Sequence, residues 1–136
     1  MPTPTQTAMS LDQLVGVWNL VSFHRTSPDG ETTPWGEAVH GMLIYTRSGY
    51  MSAALNKAIK PDSNPHRAST KAILFYSGTF TFDGHTVIHH VKNASYQPRI
   101  GRDEVRQVTW SGKQMTLKAE GDFGLASLRW EKIADQ

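Results

Sequence analysis

An imidazole beside a guanidinium can take a proton from carbon and hold the oxyanion that results, and this chain carries such a pair on two successive strand-like segments. Side chains alternate along a strand, so in Thr86–Val91 His89 shares a face with Val87 and Val91, while His90 goes with Ile88 and Lys92. In Glu104–Trp110, Arg106 shares a face with Val108 and Trp110, and Val105 goes with Gln107 and Thr109. Both functional groups are therefore expected on the apolar, inward faces. One loop joins the segments, and folding them antiparallel about Pro98 brings Arg106 within a residue or two of the level of His89. A cation near an imidazole disfavours its protonated form. His89 is thus expected neutral near pH 7 and able to act as a base, with Arg106 holding an enolate or carboxylate. The competing reading is structural, with His89 donating to a backbone carbonyl and Arg106 packed across a tryptophan.

Other chemistries find less support. The six histidines include no pair at helical i, i+4 spacing, and His89 and His90 point to opposite sides of their strand, so no metal site is expected. The chain has no cysteine, which excludes disulfides, thiolate nucleophiles and cysteine-rich zinc sites. No phosphate-binding glycine loop, dinucleotide fingerprint or serine-hydrolase elbow occurs, and no cofactor is expected. The formal charge is only +2 without runs of like charge, which argues against nucleic acid or a charged membrane surface as partner. No segment approaches the roughly 20 apolar residues of a membrane span. The polar start resembles no signal peptide, and a cytoplasmic location is expected. Asn93-Ala94-Ser95 matches a glycosylation sequon, expected to be a chance match without a secretory signal.

The elements that must position these groups are mostly strands. Of the 136 residues, 38% are hydrophobic and 10% aromatic, a globular composition sufficient for one core. Residues 1–9 read as a loose tail and 10–136 as one domain. Ser10 to Gln13 has capping-box spacing, which predicts a helical turn over Leu11–Leu14. A long strand follows from Gly16, then turn residues from Thr26 to Gly36. Met42–Thr46 and Tyr50–Leu55 flank Arg47-Ser48-Gly49 as a hairpin. Symmetric pairing sets Tyr45 opposite Tyr50 and Ile44 opposite Met51, with Tyr45, Tyr50 and Ser52 on one face and Met42, Ile44, Met51 and Ala53 on the other. Asn64 can cap, Pro65 suits the first helical position, and Ala68, Ala72, Phe75 and Tyr76 recur at helical spacing, which predicts one inserted helix with Tyr76 near its end as a lid or core residue. Hairpins about Asp83-Gly84 and Ser111-Gly112, then Leu125–Ile133, complete about eight strands. This predicts an all-β, antiparallel, up-and-down barrel, with a two-sheet sandwich as the alternative.

Several segments resemble the bacterial and fungal lipocalin-like domain family: Leu14–Phe23 with its glycine-any-tryptophan opening, Gly41–Ala53, Val87–Val91, then Pro98, Gly101 and Arg106, and Leu128-Arg129-Trp130 as a closing strand. The resemblance implies a barrel with an internal cavity and no particular reaction. It also implies that Trp18 faces inward, which carries Leu20, Ser22 and His24 inward with it. Apolar counting favours the opposite face, Val17, Val21 and Phe23, and a helix packed outside would reconcile the two.

The expected lining is then His89, Arg106 and His24 for chemistry, with Trp18, Ser22, Tyr45, Tyr50, Met51, Ser52, Tyr76, Val108 and Trp110 for binding. Tyrosines can fix a ligand's orientation by their polar tips. Three functions fit this lining. The first is a cofactor-independent isomerase, cyclase or dehydratase acting by histidine acid-base chemistry on an apolar, polyketide- or terpenoid-like metabolite. The second is a non-catalytic carrier of a small hydrophobic ligand. The third is a barrel filled by its own side chains, since eight strands lie near the boundary between filled and ligand-holding.

Overall fold

The structure, a computed structural model, describes residues 8–34, 39–57, 73–121 and 124–135. One helical turn, α1 (Leu11–Leu14), precedes nine strands: β1 (Gly16–Thr26), β2 (Thr32–Pro34), β3 (Val39–Tyr45), β4 (Tyr50–Lys57), β5 (Ile73–Phe82), β6 (Thr86–Ala94), β7 (Asp103–Ser111), β8 (Gln114–Gly121) and β9 (Gly124–Ala134). Apart from β2, which pairs antiparallel with only the last three residues of β1, each strand pairs antiparallel with the next, and β1 pairs with β9 to close the ring. The result is a closed eight-stranded up-and-down barrel with one extra strand. Closure matters because it removes the two sheet edges that would otherwise present unpaired backbone groups. Among the described residues, no helix is long and apolar enough to cross a membrane.

One end of the barrel is plugged. Ser10 caps α1 as its spacing predicts, accepting from the Gln13 backbone N–H while the Gln13 side chain accepts from the Ser10 N–H. The turn is tied to the sheet by Trp18, whose indole N–H donates to the Leu14 carbonyl at 2.9 Å. That bond satisfies an orphan carbonyl at the helix end, and both residues are buried. Met9, which the sequence assigns to the tail, is buried here too, its backbone N–H donating to the Gly84 carbonyl. Residues 1–7 lie outside the described residues. Above this plug Tyr45, Met51, Phe80, Val87, Val108, Met115 and Trp130 fill the closed half.

Two register features differ from the expectations. The β3–β4 hairpin pairs Tyr45 with Met51 and Ile44 with Ser52, one residue away from the expected pairing of Tyr45 with Tyr50 and Ile44 with Met51. Thr46 joins the loop, its side chain accepting from the Tyr50 N–H at 3.0 Å, and Gly49 takes the left-handed φ of 97° that the turn requires. A one-residue change reverses the facing of a strand relative to its partner. Tyr45 therefore faces inward with Met51 and Ala53, while Tyr50 and Ser52 face outward. The second feature is in β1. Leu20 pairs with Trp130 and Ser22 with Arg129, so Val21 is an extra residue in a bulge. Before it, Trp18 and Leu20 are buried; after it, the inward set becomes Phe23 and Arg25. The conflict between the two faces of this strand is resolved by the bulge, since each face is inward for half its length.

The inserted helix predicted between Asn64 and Tyr76 falls largely on residues outside the described set. Its last two residues do not belong to it: Phe75 and Tyr76 lie in β5, where Phe75 faces outward and Tyr76 inward.

Candidate functional site

The half of the barrel away from α1 holds a cavity of about 670 Å³. Its apolar wall comes from Phe23 of β1, Leu43 of β3, Ala53 and Leu55 of β4, Leu74 of β5, Leu117 and Ala119 of β8, and Ala126, Leu128 and Trp130 of β9. The polar wall is concentrated on β5, β6, β7 and the 3-10 turn Gln97–Arg99, which contribute Tyr76, His89, Glu104, Arg106 and Arg99. Exposed Arg25 stands at the rim, with its guanidinium 5.9 Å from the centre of the Phe23 ring.

His89 lies at the inner end of this polar wall, 1% exposed. Both ring nitrogens are occupied: the Tyr45 hydroxyl lies 2.6 Å from Nε2 and the Tyr76 hydroxyl 2.6 Å from Nδ1. Tyr45 reaches it from the core side, its ring packed edge-on to Phe80 at 4.8 Å between centroids. Burial holds the His89 pKa down to about 3, helped by the positive charge of Arg106 and by His90. Burial likewise pushes the Tyr45 phenol well above its ordinary range. Tyr76 is also raised by burial, against the opposing pull of the Arg106 and Arg99 guanidinium groups. At neutral pH the three rings are therefore uncharged, and among the described residues the charges that act on Tyr76 are those of Arg106, Arg99 and Glu104.

Those charges form a cluster on the cavity wall. Glu104 sits directly across from His89 in the β6–β7 ladder, and Arg106 across from Val87. The Glu104 carboxylate pairs with Arg99 at 3.2 Å and with Arg106 at 3.4 Å, all three side chains being largely buried. Arg106 also donates to the Val105 carbonyl, and Arg99 stacks over the Tyr76 ring at 5.5 Å. With two cations to one anion, the cluster carries an excess positive charge beside the Tyr76 hydroxyl.

Residues 15–133 match the profile of the lipocalin-like domain family. The chain belongs to that family. No curated protein and no solved structure matches it. In a lipocalin-like barrel the cavity is the natural place for a small-molecule ligand, which agrees with the geometry here. A mostly apolar, concave wall with a few convergent polar groups is the usual form of such a site.

Of the residues expected to line this lipocalin-like cavity, the structure brings together His89, Arg106 and Tyr76, with Tyr45 immediately behind His89. His24 and Ser22 are corrected by the Val21 bulge: His24 is exposed on the outer surface opposite Ser127, and Ser22, opposite Arg129, lies outside the cavity wall. Tyr50 and Ser52 are turned outward by the hairpin register, Tyr50 being 60% exposed. Trp18, Met51, Val108 and Trp110 point inward but pack in or against the core of the closed half, outside the cavity wall. Sequence reasoning missed Glu104, although it stands two residues before Arg106 and alternation alone puts both on one face. Arg99 was hidden because it lies in the 3-10 turn, where no strand periodicity applies.

Proposed function

We propose that this lipocalin-like barrel binds an apolar, polyketide- or terpenoid-like small molecule and rearranges it without a cofactor, as an isomerase, cyclase or dehydratase. The observation that carries the reading is the Tyr76–Arg106–Glu104 cluster at the wall of an otherwise apolar cavity. Tyr76 and Arg106 supply donors to a substrate carbonyl oxygen. As a proton leaves the adjacent carbon, negative charge gathers on that oxygen, and fixed donors in a water-poor site stabilise it most where it is largest. The Glu104 carboxylate, on the same face of β7, receives the proton and returns it to a different carbon, so no oxidant or reductant is consumed. His89 has a different part from the direct base that its sequence position implies. Both its nitrogens are taken by tyrosines, and a pKa of about 3 makes it a weak proton acceptor at neutral pH. Its role is to hold Tyr76.

The same site supports a second reading, a carrier that leaves its ligand unchanged. What favours it is that Glu104 is ion-paired on both sides and His89 is fully engaged, so no carboxylate or imidazole stands free to take a proton. Native mass spectrometry after incubation with a metabolite extract separates the two. A transformed product whose formation is lost in Tyr76→Phe and Arg106→Met, with the barrel still folded, supports the enzyme. Recovery of the bound mass unaltered over many hours refutes catalysis and leaves the carrier.

A further inference from the structure

We infer that the buried Tyr45–His89–Tyr76 chain has a fixed hydrogen-bond direction that makes Tyr76 an obligatory donor into the cavity, so that the ligand's polar head is an acceptor oxygen, a carbonyl or carboxylate, and not a donor group. The inference deepens the proposed function and rests on the same cavity binding a ligand.

The argument is one of proton counting. A neutral imidazole has one N–H and one bare nitrogen, and a phenol has one proton to donate. Between the two tyrosines only two ordered arrangements exist. In the first, Tyr45 donates to Nε2, the ring proton is on Nδ1 and donates to the Tyr76 oxygen, and the Tyr76 proton is left over. In the second, the direction is reversed, and the Tyr45 proton is left over. Among the described residues, the Tyr45 hydroxyl has no hydrogen-bond partner other than Nε2, and the residue is 0% exposed. A leftover proton there has nowhere to go, and an orphaned buried donor is disfavoured by roughly one to two orders of magnitude in population. Tyr76 lines the cavity, so its leftover proton can meet an acceptor that enters. The first arrangement is therefore the one the fold selects.

Arg106 reinforces the choice. Its guanidinium lies beside the Tyr76 hydroxyl and can only donate, so it competes for the oxygen's lone pairs and never for its proton. Tyr76 then accepts on one side and donates on the other, which polarises its O–H toward the cavity. Tyr45 lies behind the cavity wall, and His89, with both nitrogens occupied, offers a ligand no free polar atom. They are positioning residues.

The test has two arms. In the first, nitrogen NMR of the ligand-free protein with labelled histidine, the ring signals assigned to His89 by their loss in His89→Gln, reads the tautomer directly. The Nδ1–H form is expected; the Nε2–H form overturns the inference and leaves the binding cavity standing. In the second, calorimetry compares undecane, 2-undecanone, dodecanoate and dodecylammonium. The ketone and the carboxylate are expected to bind at least about tenfold more tightly than the ammonium. Tyr76→Phe should remove most of the ketone's advantage over the alkane, with undecane binding to the same variant reporting that the pocket is still formed. Dodecylammonium binding as tightly as dodecanoate overturns the inference alone. Failure of every probe, undecane included, overturns the binding reading and the inference with it.

Discussion

Acid should unfold this protein through His89 before it does so through its carboxylates. In the native state the imidazole stays neutral down to a pKa of about 3, whereas in the unfolded chain it titrates near 6.5. Between those values the unfolded chain binds a proton that the native state does not, so stability falls as pH falls. The contribution is fully present above about pH 6.5 and lost progressively toward pH 3. At about 1.4 kcal/mol per unit, the whole shift corresponds to about 5 kcal/mol, a large share of the roughly 5–15 kcal/mol of a typical domain. Over the narrower interval from pH 7 to pH 4.5 the linkage relation gives about 2–3 kcal/mol. The carboxylates of Asp29 and Asp83, held below 3.8 by hydrogen bonds to Ser27 and to the His85 and Thr86 N–H groups, are still ionised at pH 4.5 and contribute below it. Urea denaturation of the wild type and His89→Gln at pH 7, 5.5 and 4.5, followed by tryptophan fluorescence, isolates the term because every other group cancels in the difference. The wild type is expected to be the more stable at pH 7, and its advantage should shrink by about 2–3 kcal/mol at pH 4.5. Parallel pH profiles for the two proteins would refute the reasoning, since they would mean that His89 titrates alike in both states.

Three further outcomes follow from the packing and the cavity. Trp18→Phe removes the donor to the buried Leu14 carbonyl and should lower stability by about 1–3 kcal/mol in urea melts, with ligand binding unchanged because Trp18 lies outside the cavity wall. Gly78→Ala drives a Cβ into the His90 carbonyl oxygen, beside the irregularity where β5 passes Lys92, and should cost more than about 2 kcal/mol by forcing the strands apart. Equal urea midpoints for this variant and the wild type would contradict that close approach. Ala53→Phe directs a ring from the wall into the cavity, so it should reduce hydrophobic-probe binding at least about tenfold while moving the melting midpoint by only a few degrees.

What could be seen in the sequence, and what could not, divides by the range of the interaction that decides it. The strands after β5, their hairpins and the inward placement of His89 and Arg106 depend on two-residue alternation within a segment and on one short connection, and both are visible locally. The facing of His24 depends on Val21 being squeezed out of register against Arg129 and Trp130, more than a hundred residues along the chain. No property of Gly16–Thr26 alone announces it. The Tyr45–Tyr50 pairing failed for a smaller reason: Thr46, which reads as strand by propensity, closes the turn with its own side chain. The recurrence of Ala68, Ala72 and Phe75 at helical spacing makes Tyr76 look helical, yet β5 already begins at Ile73. In each case tertiary pairing overrode a local pattern.

The Val21 bulge also explains how a single strand serves both halves of the barrel. A strand of strict alternation that buried Trp18 and Leu20 would have carried Ser22 and His24 inward, setting a polar, titratable side chain against the apolar wall of Ala126 and Leu128. With one residue inserted, β1 buries tryptophan and leucine against the plugged end and then offers Phe23 and Arg25 to the cavity end. Apart from exposed charged residues at the rim such as Arg25 and Glu120, the cavity wall is thereby apolar on β1 and β9, and its more buried polar groups lie on β5, β6, β7 and the 3-10 turn. In the proposed function that segregation orients the ligand, with hydrocarbon against Phe23 and Leu128 and an acceptor oxygen toward Tyr76 and Arg106. Deleting Val21 should therefore leave Phe23 inward and His24 outward, since Leu20 and Ser22 would then follow each other in plain alternation against the same partners, Trp130 and Arg129.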